Sequence, residues 1–535
     1  MKRNDFCKKV VSLLACGCIM AGCLTGCGDT NTESKAPSES KSTVESTAST
    51  SGSVVEQSSE EVVEEPAELT MWSMIKTDSV YYEKIQEACN VKLKFVDSTG
   101  GKETMSILIG TNDLPDLVLC SKNDISGGVQ NLLDTGVIVP LNDLMAEGWM
   151  PNFEALMETD TEMATLLKND EGKYAWATMM YAEDAPTSFQ GYMIRKDWLD
   201  ELNLEVPTSI EAMEKVLLAF KEKKGVESGL AFSWKTTSIF PQSWGVVEDF
   251  YVDNGEIKYG YMEDSYKEYL ARANEWINLG ILDPDTFSQD QDTFWAKMAM
   301  GKTGLVFGFT GGEFNKILTM KEENPDMEWI PIPWPGVEDG EGFPVDNGSS
   351  RLVDTYGIFV SSKCENKEAA ARVIDYIYSE EGTMLSNYGV EGISYEMVNG
   401  QPVLTELITN NPEGKGLTDA LALYAGPVNK PYINTKMGKM LQYAQEVQQD
   451  SLEIWDTSGG AVTILPPLSM TADEKEEYNL IMTDIKTYVA EYKLKFILGS
   501  ESLDNFKTFK NNLINMKIER AIEITQGAYD RFMSR

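Results

Sequence analysis

Eleven tryptophans and no histidine set the chemistry open to this 535-residue chain. Without imidazole, Ser-His-Asp and Cys-His nucleophile systems cannot be built in their usual form. Catalytic zinc also loses its preferred ligand. Of eight cysteines, five lie at or before position 27, and the remaining Cys89, Cys120 and Cys364 are odd in number and fit no metal spacing. Cys120 closes an apolar run and reads as a small buried hydrophobe. With 85 Asp and Glu, a carboxylate pair could be assembled anywhere, so carboxylates by themselves single out no reaction. The stretch LDPDTFSQDQD (282–292) lacks the glycine and spacing of an EF-hand and reads as a solvated loop. No metal, cofactor or catalytic residue is expected.

What remains is a surplus of flat rings beyond the needs of a core. A Tyr or Trp buries roughly 150–250 Å² at low entropic cost. Its face matches the apolar C–H face of a sugar ring, and Asn, Asp, Glu and Ser match the hydroxyl rim. Trp198 in KDWLD and Trp276 on an amphipathic helix are expected in the core, and Trp149 in EGWMPNF beside a turn. The ligand-facing candidates sit at strand ends or in loops, where α/β folds display ligands. They are Trp72 in the first strand, Ser121 and Lys122 after the third, and Trp176 in GKYAWATMM. Trp244 precedes Gly245, Trp295 stands beside SQDQDTF, and Phe309 ends GLVFGF before Thr310-Gly311-Gly312. Trp334 in PIPWPG, Tyr356 at the start of a strand and Trp455 in a loop before LPP complete the set. Any one of these could instead be packing, and at least three are expected to line a cleft. Arg351, one of eight arginines, lies in DNGSSRLVD. It fits either an acidic ligand such as a uronic-acid sugar or an ion pair in a very acidic protein. Arg195 in IRKDW is expected to be structural.

The elements that must hold these residues alternate strand and helix. Strands are expected at 68–76, 91–96 and 116–120, with a helix near 102–110 between the last two, which implies a parallel sheet with helices on its faces. Thr208 and Glu211 form a capping box for a helix that stops at Gly225. Ser265 and Glu268 start another, ending at Gly280. A third runs from Asn366 to Gly382, and a fourth from Thr471 and Glu474 to about Leu498. Asn254-Gly255 between two aromatic-rich runs predicts a hairpin with a type I′ turn. KTGLVFGF (302–309) and YGIFVS (356–361) are expected to pair.

Lys2, Arg3, Lys8 and Lys9 precede an apolar run over 10–24. About fifteen apolar residues suit an export-signal core, whereas a spanning helix needs roughly twenty. Residues 28–66 are mostly Ser, Thr, Glu, Lys and Ala, a composition that cannot offset the entropy of ordering and makes a tether of roughly 35 Å mean span. The net charge of −39 excludes nucleic acid as a partner, because phosphate binding needs basic patches.

Two resemblances give these readings a frame. Leu24-Thr25-Gly26-Cys27 resembles a bacterial lipobox, better than Met20-Ala21-Gly22-Cys23, which has no leucine. It implies cleavage of 1–26 and a diacylglyceryl group on Cys27, which holds the chain to the lipid bilayer on the extracytoplasmic face of the cell membrane. LPDLVLCS, GYMIRKDWLDELNLEVPTSIEAMEKVLLAFKEK, NEWINLGILDPDTF, GKTGLVF, NKEAAARVIDYIYSEEG, KFILGSESLDNFKTFKNNL and QGAYDRF occur in that order. Together they resemble the extracellular solute-binding lipoproteins (family 1 type) of bacterial carbohydrate ABC importers. The resemblance implies an α/β, two-lobed periplasmic-binding-protein fold of class II type, each lobe a mixed sheet flanked by helices, with a hinge between. One lobe would hold 67–185 plus about 336–400, the other 186–335 plus about 401–535. It also implies a monomer that is no enzyme and delivers an oligosaccharide to ABC permease transmembrane subunits. Several relatives carry a calcium-loop-like insert where this chain reads KEKKGVESGLAF, which lacks the oxygen ligands, so no calcium site is carried over. The alternatives are a tethered glycoside-active enzyme, which needs two carboxylates roughly 5–10 Å apart, and a sugar receptor for a sensor kinase.

Overall fold

The computed structural model describes residues 65–73, 79–226, 230–232, 240–338, 350–443, 445–456 and 463–535. The export segment, Cys27 and the tether lie outside the described residues.

Two sheets organise the chain. The larger has seven strands, in the order Tyr432–Asn434, Ala177–Tyr181, Leu352–Ser361, Leu117–Ser121, Ala67–Ser73 and Val91–Val96, with Ile138–Val139 pairing to the end of Leu352–Ser361. The first three strands in sequence pair in parallel, as their strand–helix–strand order requires. Residues of Leu117–Ser121 are buried throughout, because the strand is central and covered on both faces. Val91–Val96 is an edge strand: Val91 and Leu93 point inward, while Lys92 and Lys94 point to water and pair with Glu68 next door. The smaller sheet has four strands in the order Trp329–Ile332, Gln190–Arg195, Leu305–Phe309 and Leu230–Phe232. Leu305–Phe309 and Leu352–Ser361 therefore do not pair as expected. The first joins Gln190–Arg195 and the second joins Leu117–Ser121.

Each sheet has its own apolar core. One gathers Trp72, Phe153, Tyr378 and the helix Lys367–Ile377; the other gathers Tyr192, Phe220, Phe240, Trp276 and the helices Ile210–Lys224, Asp264–Leu279 and Ala472–Ile497. The chain crosses between the cores three times: along 182–189, between Ile332 and Leu352, and between Asn434 and Glu446. Within the segment expected with the second lobe, Tyr432–Asn434 pairs in parallel with Ala177–Tyr181 of the first sheet, while Gln401–Leu404 forms a separate hairpin with Tyr395–Val398.

The punctuation residues act mostly as their chemistry dictates. Asn254 and Gly255 take φ of 52° and 85° between Phe250–Asp253 and Glu256–Tyr259, a type I′ turn. Thr471 and Glu474 cap Ala472–Ile497 reciprocally. Asn366 caps Lys367–Ile377. Three details differ from expectation. The cap of Ile210–Lys224 is Ser209, not Thr208. Asp264–Leu279 starts without a side-chain cap, so Ser265 and Glu268 form no box. Gly382 ends no helix; it lies in the first turn of Glu380–Tyr388, donating to Ser379 Oγ, and a Cβ there would meet the Tyr376 carbonyl oxygen at 1.8 Å.

Candidate ligand-binding site

The strand Leu352–Ser361 carries an irregularity that shapes the site. On its Ala177–Tyr181 side, Val353 faces Met179, and the next paired residue, Gly357, faces Thr178. Asp354, Thr355 and Tyr356 are left unmatched on that side, and such a bulge re-aims side chains away from the ladder. Gly357 is where the indole of Trp176 crosses the strand: a Cβ at 357 would lie 2.3 Å from Trp176 Cε3.

Cavities open on both sides of this bulge, with Leu352 and Asp354 in the wall of each. The wider, about 850 Å³, has Lys122, Gln130 and Trp176 on the side of the first sheet. Opposite stand Ser469, Lys475 and Tyr478, from the start of the helix Ala472–Ile497 and the chain before it. Lys475 Nζ donates to the Gly127 carbonyl at 3.0 Å, so the two sides touch directly. The second cavity, about 530 Å³, lies where the three crossing segments converge and is walled by Tyr181, Phe189, Tyr356, Asn434, Lys439 and Tyr443. Both cavities combine ring faces with hydroxyl, amide and charged groups, the chemistry of a site for polar rings.

The electrostatics of the second cavity are unusual for so acidic a protein. Lys430 and Lys439 are each 2 % exposed. Lys439 Nζ donates to the carbonyls of Pro186 at 2.5 Å and Ser188 at 3.5 Å and lies 4.1 Å from the Tyr181 ring centroid. Lys430 Nζ donates to the Ser386 carbonyl at 3.0 Å and sits 3.8 Å from the Tyr432 ring centroid. Burial lowers the pKa of both to about 7; for Lys439 the field of Asp456 partly opposes this. Burial pushes the Tyr181 and Tyr443 phenols up to about 12, so both remain protonated donors. Asn434 is buried with its Oδ1 unsatisfied.

The expected site residues divide. Lys122 and Trp176 reach the wider cavity and Tyr356 the second. Ser121 lies just behind, accepting from Asn123 N and capping the turn that presents Lys122. Lys122 is ion-paired with Asp354 at 2.6 Å. Phe309 is half-buried and stacks on Phe189 at 5.8 Å, one ring back from the second cavity. Arg351 lines a separate cavity of about 480 Å³, clamped by Asp160 at 2.5 Å and Glu162 at 3.0 Å. Trp72, Trp295, Trp334 and Trp455 are buried in the cores and line neither of the two cavities beside the bulge. Trp455 ends the helix Glu446–Trp455 rather than standing in a loop, lies over Gly191 and donates Nε1 to the Ile332 carbonyl. Trp244, half-buried, packs against Tyr269 and Trp276.

Sequence reasoning missed Tyr181, Phe189, Lys430, Lys439 and Tyr443. Phe189 had a usable signal, since it directly precedes a strand and follows Pro186-Thr187-Ser188. The lysines had none: nothing in VNKPYINTKMGK distinguishes a buried ammonium from a surface one.

The fold agrees with what comparison with known proteins finds. The chain belongs to the bacterial extracellular solute-binding protein family, whose model matches residues 61–384. It is 22 % identical over 461 residues to the fructooligosaccharide ABC transporter substrate-binding protein FusA of Streptococcus pneumoniae serotype 4, covering 81 % of this chain and 83 % of that one. Among solved structures it resembles the HMO-binding, ABC-transporter-associated solute-binding protein of Bifidobacterium longum infantis (TM-score 0.69, 18 % identity, 88 % of this chain and 99 % of that). It also resembles the alginate-binding protein AlgQ2 (TM-score 0.66, 20 % identity, 87 % and 98 %). These likenesses establish the α/β solute-binding-protein fold.

Proposed function

We propose that this protein is a lipid-anchored receptor on the outer face of the cell membrane that captures an oligosaccharide between two lobes and hands it to an ABC permease. The observation that carries the reading is the 530 Å³ cavity lined by residues of all three segments that cross between the cores. A ligand seated there touches the segments whose dihedrals must change if the lobes move, so its binding energy can bias opening against closing. Trp176, Tyr181, Tyr356 and Tyr443 offer ring faces, and Gln130, Asn434 and Gln442 offer amides for hydroxyl groups. The relatives named above are called binding proteins for oligosaccharides or alginate, which supports the same class of ligand here. The lobes assigned are 65–185 with about 350–434, and 190–332 with about 446–535.

The test is calorimetric titration of the full-length protein, in a detergent without sugar headgroups, against a panel of defined oligosaccharides. Saturable binding with no release of new reducing ends supports the reading. Sustained cleavage would make the protein an enzyme, and silence across the panel would remove sugars as its ligands.

A further inference from the structure

The second cavity holds two lysines whose neighbours do not account for their charge. Neither Lys430 nor Lys439 has a carboxylate within 4.0 Å among the described residues. Among the described residues, their nitrogens are met by main-chain carbonyls and ring faces. A buried ammonium without an anion is strongly disfavoured, and in a chain of net charge −39 a counter-ion is the easiest thing to supply. The other charges around this space are accounted for. Asp354, on the facing wall, is held by Lys122. Lys436, on the same short helix as Lys439, is held by Glu453. Asp456 accepts from the amides of Thr187 and Ser188 and from Thr187 Oγ1. Tyr181 and Tyr443 are neutral donors on the wall. Asn434 Oδ1 is an acceptor still without a donor.

Resting on the sugar-receptor reading, we propose that this cavity takes the carboxylate of an acidic sugar residue, with the Lys439 ammonium as its counter-ion. Asn434 Oδ1 accepts a hydroxyl of the same ring, and the phenols of Tyr181 and Tyr443 are within the same wall. Lys439 lies on the third crossing segment and its nitrogen reaches the first, so an anion bound to it engages two of the three segments at once. A carboxylate beside Lys439 favours the charged amine. The amine then takes a proton from solvent as the ligand enters, and the carboxylate stays ionised.

The test is titration calorimetry of the full-length protein with oligomers of galacturonate, mannuronate and glucuronate. Each is paired with its methyl ester, a neutral molecule of nearly the same shape, and neutral oligosaccharides form a further arm. Runs in buffers of different ionisation heat count the protons. The expected result is one uronate oligomer binding at least about tenfold tighter than its ester, with uptake approaching one proton per ligand at pH 8 and little at pH 6. Lys439→Met should bring acid and ester within about threefold and abolish the uptake. Should that variant fail to fold, the wild-type acid–ester ratio and proton count decide. Neutral sugars binding as tightly as, or tighter than, every uronate would overturn the inference and leave the sugar reading standing. An acid–ester preference that survives Lys439→Met would place the anion away from Lys439 and overturn it as well. No binding of any carbohydrate would remove both.

Discussion

The indole of Trp176 lies across the α-carbon of Gly357, so close that a methyl group there would come within 2.3 Å of the ring. The contact joins the wall of the wider cavity to the strand that carries the bulge. Gly357→Ala should therefore push the indole off that wall. Overpacking of this kind costs about 1–3 kcal/mol, read as a lowered denaturation midpoint, together with weaker oligosaccharide binding by calorimetry. Gly382→Ala, which meets a main-chain carbonyl but lines neither cavity, should lower stability and leave affinity unchanged. Equal loss of affinity in both variants would break the link between the Trp176–Gly357 contact and the ligand.

Trp176 and Trp455 give a second contrast. Both are buried, but Trp176 lines a cavity and Trp455 lies within a core, bonded to the Ile332 carbonyl. Trp176→Ala should weaken the tightest oligosaccharide ligand about tenfold or more. Trp455→Phe keeps a ring and loses one buried hydrogen bond, a cost of about 1–2 kcal/mol, with affinity within about threefold. Titration and chemical denaturation on the same preparations separate the two effects.

Arg351 is held by two carboxylates and donates to the Tyr181 carbonyl at 3.3 Å, so its role in the free protein is to tie the start of Leu352–Ser361 to the helix Thr161–Leu167 and its cap, Asp160. Arg351→Met leaves Asp160 and Glu162 without their cation. A loss of about 1–3 kcal/mol in stability is expected, since breaking a partly buried pair strands its partner. Sugar affinity should change by less than about threefold. A collapse of affinity at unchanged stability would return Arg351 to the ligand set.

The buried lysines make stability depend on pH. Their folded pKa values, about 7, lie below the ordinary lysine value of 10.5, so between these limits the unfolded chain binds more protons than the folded one. Stability from these groups must therefore rise with pH from about 7 to about 10. Lys439→Met removes a desolvated amine and should raise stability near pH 7 by about 1–3 kcal/mol while flattening the rise toward pH 10. Denaturant midpoints at pH 6, 7, 8 and 9 measure both. A variant with the wild-type slope would mean Lys439 remains charged when buried.

How far the sequence could be read follows from the range of each interaction. The Asn254-Gly255 turn and the Thr471–Glu474 cap depend on atoms within a few residues, so pattern alone reveals them. The pairing of Leu305–Phe309 is not legible locally, because two apolar runs are equally good partners, and only their burial in different cores separates them. Tryptophan was the weakest guide. Trp72, Trp295, Trp334 and Trp455 have the same residue type as Trp176, and their burial is decided by neighbours distant in sequence, such as Gly191 beneath Trp455. Lys439 shows the limit most clearly: its environment is made by Pro186 and Ser188, some 250 residues earlier, and no local signal encodes it.

The last prediction concerns the anchor. If Cys27 carries a diacylglyceryl group, the acyl chains hold the protein at the membrane through roughly 0.8 kcal/mol for each buried CH2, and two chains suffice where one barely does. Cys27→Ser removes the acceptor sulfur. The variant should move from the membrane fraction to the medium and from the detergent phase to the aqueous phase on cloud-point partition, with sugar affinity intact, because the described residues that wall the two cavities lie between Lys102 and Asn479. Cys23→Ser should leave the wild-type pattern unchanged, since Met20-Ala21-Gly22-Cys23 lacks the leucine of Leu24-Thr25-Gly26-Cys27. Release by Cys23→Ser and retention by Cys27→Ser would reverse the assignment and lengthen the tether by four residues.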